Sequence, residues 1–284
     1  MGGLSAAESA AFPDRLAGRS EFAGVTAAMR TRLGLVALLF GLACLAWWAT
    51  ADQMAGMDAG PGTDLGTFGW FLGVWIVMMA AMMFPSVSPT VALYAQMTRQ
   101  RGLSRSLLFT SGYLLVWGAA GVAAYGLFGL GRTLFGADLA WHAGGRWLAG
   151  GILALAAIYE LTPLKDVCLA KCRSPLGFLL GSWRDGPRGA LEMGARHAAW
   201  CVGCCWALMA ALFALGVMSL AWAALVAALI ALEKTLPYRR AVTWGTAAVL
   251  VALAVGLVAA PHAVPGFVVP DGAHGGAHTM AAMR

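Results

Sequence analysis

The chain has 284 residues, of which 60% are hydrophobic and 11% charged, with a formal net charge of +6 and a mean hydropathy of +0.75. These values lie far outside the range of globular domains and exclude a soluble protein, leaving a membrane protein whose solvent is the lipid bilayer. A basic excess in a soluble chain would suggest nucleic acid; here the placement of the basic residues accounts for it, and no nucleic-acid partner is expected.

A membrane-crossing helix needs roughly 20 mostly apolar residues. Seven stretches qualify, at 33–51, 67–84, 106–130, 147–163, 197–217, 220–233 and 241–260. The sixth is short and joins the fifth by a tight turn around Met218 and Ser219. With these seven spans, sixteen of the 19 Lys and Arg fall on one side, and Arg132, Arg146 and Arg284 fall on the other. Loop Lys and Arg stay cytoplasmic, so the amino terminus is expected inside and the carboxyl terminus outside. The expected fold is all-α, a polytopic transmembrane helix bundle over residues 33–260. Residues 1–32 hold Pro13 and four arginines without a signal-peptide core, and they read as a cytoplasmic arm. Residues 261–284, with His262, His274, His278, Met280 and Met283, read as a flexible external tail.

Taken in chain order, the first span carries Cys44 alone, which is expected to be a small buried hydrophobe. A Gly-rich, acidic segment at 52–66 follows and holds Met54 and Met57, which, like the tail, could capture a metal ion weakly from outside. The second span ends in VMMAAMMFPSVSP, residues 77–89. Residues four apart share a helix face, so Met78 lies above Met82 and Met79 above Met83; Pro85 is expected to end or kink the helix. Four clustered thioethers admit two readings: filling irregular gaps between helices, or coordinating a soft metal ion.

Beyond the fourth span, PLKDVCLAKCRSP sets Cys168 and Cys172 four residues apart among Lys165, Lys171 and Arg173. These cations either favour the ligating thiolate or act as ordinary positive-inside anchors. In HAAWCVGCCWALM, residues His197, Cys201, Cys204, Cys205 and Met209 make one helical face with an extra sulfur beside it. Every group sits at the inner end of its span, where thiols stay reduced. Thiol and thioether together select Cu(I); zinc competes for Cys and His but makes little use of Met. Two acids occupy costly positions. Glu160 can pair with Lys165 or a bound cation, and Glu233 with Lys234 or Arg196, unless both reach water at the membrane surface.

AMMFPSVSP, YELTPLKDVCLAKCRSP, CVGCCWALM, GVMSLAW and the Glu233–Lys234 pair occur in an order that resembles a bacterial family of predicted metal-binding integral membrane proteins, a domain of unknown function. The resemblance covers about residues 65 to 240. It implies metal binding and places Met78, Met82, Met83, Pro85, Pro89, Cys168, Cys172, Cys204, Cys205, Met209 and Met218 at the family's signature positions. Glu160 departs from the glutamine expected in many relatives.

The candidate metal residues are therefore Met78, Met79, Met82, Met83, Glu160, Cys168, Cys172, His197, Cys201, Cys204, Cys205 and Met209. The leading functional expectation is transport of Cu(I) or its delivery to a copper enzyme, with a metallochaperone or that enzyme as partner. Two other classes stay open. One is a membrane thiol oxidoreductase passing electrons between cysteine pairs and a quinone, although its thiols would face the reducing side. The other is a structural subunit packed into a larger membrane complex, with Gly69 and Gly73 giving a close helix contact; a homo-oligomer also stays open. No nucleotide-binding or hydrolase motif supports ATP-driven or hydrolytic chemistry.

Overall fold

A computed structural model describes residues 6–55, 65–98, 103–135 and 144–264, and among them there is helix and turn but no strand. The helices are α1 (Ala6–Met54), α2 (Phe68–Met97), α3 (Leu103–Phe135), α4 (Arg146–Glu160), α5 (Pro163–Cys172), α6 (Pro175–Gly181), α7 (Gly186–Leu215), α8 (Leu220–Thr235) and α9 (Arg239–Ala259). Among the described residues, five segments are long and apolar enough to cross a membrane: 32–54 of α1, α2, residues 103–134 of α3, α7 and α9. A sixth results if α4 and α5 count as one broken span. At 16 residues, α8 reaches only ~24 Å, short of the ~30 Å of a typical hydrocarbon layer.

Helices α2 and α7 meet through the side chains of Met83 and Cys201 and of Trp75 and Phe213, and they are the most shielded of these membrane-length helices. In each, 61% of the most apolar window is buried, against 22% in α1, 17% in α3 and 33% in α9. Glycine permits the tightest approach: a Cβ at Gly112 of α3 would collide with the Leu191 carbonyl of α7, and one at Gly194 of α7 with the Phe109 carbonyl of α3. Gly69 and Gly73 play no such part within the chain, since a Cβ there would meet nothing within 4 Å.

Several local features differ from the sequence reading. Helix α2 does not end at Pro85 but runs on to Met97. Pro89 lacks the N–H that would serve the Pro85 carbonyl, and Ser88 Oγ donates to that carbonyl at 2.9 Å instead, the side-chain repair that lets proline persist within a helix. The stretch 147–163 breaks at Leu161–Thr162 with a 69° bend between α4 and α5. Pro163 disfavours helical backbone at the residue before it, and Thr162 is accordingly extended at φ −80°, ψ 147°. Its side chain then caps α5 by accepting from Lys165 N at 3.3 Å, with Pro163 at the first helical position, where an N–H is not needed. Gly216, at φ +114°, makes the turn between α7 and α8, a backbone state that glycine adopts without penalty.

Two single residues also move. Met54 is the last residue of α1 and is buried, not part of an open loop, and Cys44 is exposed on the outer face of α1. Met57, His274, His278, Met280 and Met283 lie outside the described residues.

Candidate metal centre

The Met motif lies well inside the 30-residue α2 and the His-Cys motif well inside the 30-residue α7, whereas Cys168 and Cys172 lie on the shorter α5. Helix α2 continues past Phe84 to Met97, and α7 starts at Gly186, ahead of His197. The sulfurs thus sit where the apolar stretches stop and are covered by further helical turns and by α5 and α6. All five cysteines of the two motifs are buried, as are Met78, Met79, Met82, Met83 and Met209.

Cys201, Cys204 and Cys205 form the nucleus, with their ligand atoms all within 4.8 Å of one another. On α7, Cys204 Sγ lies 3.1 Å and Cys205 Sγ 2.9 Å from the Cys201 carbonyl, both donating to it, the usual back-bonding of small polar side chains in a helix. Helix α5 brings Cys172 Sγ to 3.8 Å from Cys204 Sγ. Helix α2 brings Met83 Sδ to 3.8 Å from Cys201 Sγ. Three helices thus supply thiol and thioether to one buried spot. Cys168 packs against Gly203, where a Cβ would stand 2.8 Å from its Sγ; the absence of that Cβ lets α5 approach α7. Tyr159 Oη donates to the Gly203 carbonyl at 2.5 Å and ties α4 to the same point.

The other sulfur candidates are distributed around this nucleus. Met79 and Met82 belong to the core, and Met209 lies one turn beyond Cys205 on α7, also in the core. Met78 lines a separate cavity with Met54 and Met218. His197, one turn before Cys201, stands outside the three-cysteine group. Its ring packs among Phe178, Tyr113 and Phe109 at centroid separations of 4.8, 6.1 and 6.2 Å, and Nδ1 is buried with no hydrogen-bond partner.

The charged residues make a second layer beside the sulfurs. Lys165, fully buried, is paired with Glu160 and lies 2.8 Å from a Glu233 oxygen. Neither acid reaches water: both are 2% exposed. Glu160 thus has Lys165 as its cation, while Glu233 takes Lys165 in place of Lys234 or Arg196. The next residue on α8, turned about 100° around the helix, is Lys234, whose Nζ donates to Cys201 Sγ at 3.0 Å. Tyr113 Oη of α3 is also 3.0 Å from that sulfur. Arg173, capping α5, donates to the carbonyls of Glu233, at 2.9 Å, and Leu236. The end of α8 is therefore clamped to α5 by Lys165 and Arg173, and that clamp points Lys234 at the cysteines.

The sequence offers Lys165, Lys171 and Arg173 either as cations favouring the Cys168 and Cys172 thiolates or as positive-inside anchors. Lys165 and Arg173 serve the clamp, and among the described residues Lys234 is the cation that donates to a cysteine sulfur. Its only sequence signal was a Glu-Lys pair closing an apolar stretch; Tyr113, inside an apolar span, gave none.

Fold and site together describe an all-helical bundle with apolar, membrane-length helices around a buried sulfur cluster backed by charge. The chain belongs to the PpoB2 family of copper chaperones, which matches residues 72–257. This agrees with the metal-binding part of the resemblance read from the motifs and makes the metal copper at the level of the family. No curated protein and no solved structure matches the chain.

Proposed function

We propose that the chain is an integral inner-membrane protein that accepts Cu(I) on the Cys201–Cys204–Cys205 group and hands it to a copper enzyme or to a carrier serving one. The single observation that carries this reading is the meeting of three helices at one buried donor set: the three cysteines, Cys172 and Met83. Family membership supports copper delivery as the role. Thiol plus thioether suits Cu(I), and the imidazole that zinc would favour stands outside the group. Adjacent sulfurs let the ion pass from one to the next without leaving coordination. Lys234 offsets the negative charge that thiolate ligands bring into an apolar interior.

The chain crosses the bilayer seven times with its amino terminus in the cytoplasm. The division of Lys and Arg into sixteen and three supports this topology, with α4 and α8 as short spans and α5 turned away by 69° at the inner end of α4. The sulfur group then lies toward the cytoplasmic face. Reporter fusions after Arg105 and after Arg240 should both read cytoplasm, and an external signal at either overturns the topology.

The functional test is the double substitution Cys204→Ser and Cys205→Ser, which keeps shape while exchanging soft sulfur for hard oxygen. Cu(I) affinity, measured by competition with a chelator, should fall beyond the roughly 10–100-fold typical of changes around a ligand shell, with the helical content intact. An unchanged affinity removes the cluster from copper handling.

A further inference from the structure

A second group of sulfurs lies away from the cysteines. Met54 at the end of α1, Met78 of α2 and Met218 in the α7–α8 turn line one small cavity, with Phe71, Val74 and Trp75 among its walls. All three methionines are buried. The space amounts to about 10 Å³, whereas an ordered water needs roughly 10–15 Å³ and two to four polar partners. Such partners are lacking among these walls, because Trp75 Nε1 is already spent on the Trp117 carbonyl at 2.8 Å. Methionine is the side chain best able to collapse into a gap. Three of them from three separate segments nevertheless surround a gap and leave it open, in a core where voids are otherwise disfavoured.

We propose that Met54, Met78 and Met218 form a thioether-only site for one soft monovalent cation, distinct from the cysteine group. Three neutral thioethers suit a soft ion, and an apolar pocket without an anion strongly disfavours a divalent one. Identifying that ion as Cu(I) rests on the function proposed above; the thioether site itself does not. Met78 shares a helix face with Met82, and Met83, the next residue, touches Cys201. The rise along α2 from Met78 to Met83 is ~7.5 Å, so thioethers lead from this cavity to the thiol group. In the proposed topology the cavity lies in the outer half of the bundle, and the ion would reach it before the cysteines. Thioethers carry no proton, so loading here is independent of pH, whereas loading of thiols releases protons and strengthens as pH rises.

The test titrates the full chain in detergent with Cu(I) against a chelator. The parent should bind two ions. The pair Met54→Leu and Met218→Leu, which nearly conserves volume and apolarity, should bind one. The triple variant Cys201→Ser, Cys204→Ser, Cys205→Ser should keep one ion with the same affinity at about pH 6 and about pH 8. Circular dichroism checks that each variant is folded, and the Leu pair decides for or against the thioether site even where the triple variant unfolds. If the Leu pair binds as many ions as the parent, the thioether site falls and the cysteine proposal stands. If the triple variant loses nothing relative to the parent, the cysteine proposal falls and the thioether site stands. A folded triple variant that binds no Cu(I), or whose residual ion still depends on pH once Cys168 and Cys172 are also replaced by Ser, overturns the thioether site as well.

Discussion

Helices α2 and α7 pass the same test of length and apolarity as α1, α3 and α9, yet the two sets hold different chemistry. The inner pair carries Met83 and the three clustered cysteines, with 61% of its most apolar windows shielded. The outer set presents Leu38, Leu115, Leu127, Val251 and Val255 to the surroundings. In a bilayer an apolar side chain can be chosen for lipid or for packing, and hydropathy alone does not separate the two. Shielding does. Costly groups sit where partners are fixed around them, along the inner helices or on the inward face of an outer one, as with Tyr113 of α3 beside Cys201.

The sharpest way to break this contrast is at Lys165. Lys165→Met leaves Glu160 and Glu233 buried without their shared cation, and losing one partner of a buried ion pair costs about 3–5 kcal/mol. The unfolding midpoint in detergent should drop accordingly, and adding Glu160→Gln with Glu233→Gln should restore most of it. Failure of that rescue would mean the triad is not what holds α5 to α8. Glycine gives the next contrast. Gly194→Ala forces a methyl against the Phe109 carbonyl, and overpacking of this kind costs about 1–3 kcal/mol. Leu115→Ala on the exposed face of α3 should change stability by less than ~0.5 kcal/mol. Equal effects at the two positions would contradict the inner–outer distinction.

Smaller changes address the site itself. Lys234→Met should leave the fold in place yet weaken Cu(I) binding by about 10–100-fold, the usual range for groups that tune a ligand from behind. An affinity equal to that of the parent would reduce the Lys234–Cys201 contact to packing. Tyr113→Phe removes one hydroxyl from the same sulfur and should cost about 1 kcal/mol of binding at most. A larger loss would make Tyr113 a principal support of Cys201.

Much of this arrangement was legible in the sequence, for identifiable reasons. Sustained apolar stretches read as helices, so most helices are found though not their ends, and the spacing of Cys201, Cys204 and Cys205 on one helix face fixes their mutual proximity. For Glu160 the sequence offered Lys165, a bound cation or water at the membrane surface, and packing selects Lys165. The contacts of Met83 and Cys172 with the cysteines depend on how α2 and α5 pack onto α7, which periodicity does not specify. Glu233 illustrates the same limit: its neighbour Lys234 is nearer in sequence, but adjacent helical residues point about 100° apart, so the two serve different partners. The helix end expected at Pro85 does not occur, since Pro85 and Pro89 both lie within α2; the carbonyl that Pro89 leaves without an N–H is met by the Ser88 hydroxyl, a local repair that proline statistics average away. Met54 misled because the composition of the following Gly-rich segment hid the last turn of α1.

The central claim is that copper sits on sulfur from α7, in contact with α2 and α5. X-ray absorption at the copper edge of the full chain, loaded with one equivalent of Cu(I) under reducing conditions, tests it most directly when the parent is compared with the Cys204→Ser, Cys205→Ser variant. The account predicts a first shell made of sulfur alone in the parent, and in the variant either loss of bound copper or a shell altered in number or type of donor. A parent first shell of nitrogen and oxygen, or a sulfur shell identical in parent and variant, would contradict it.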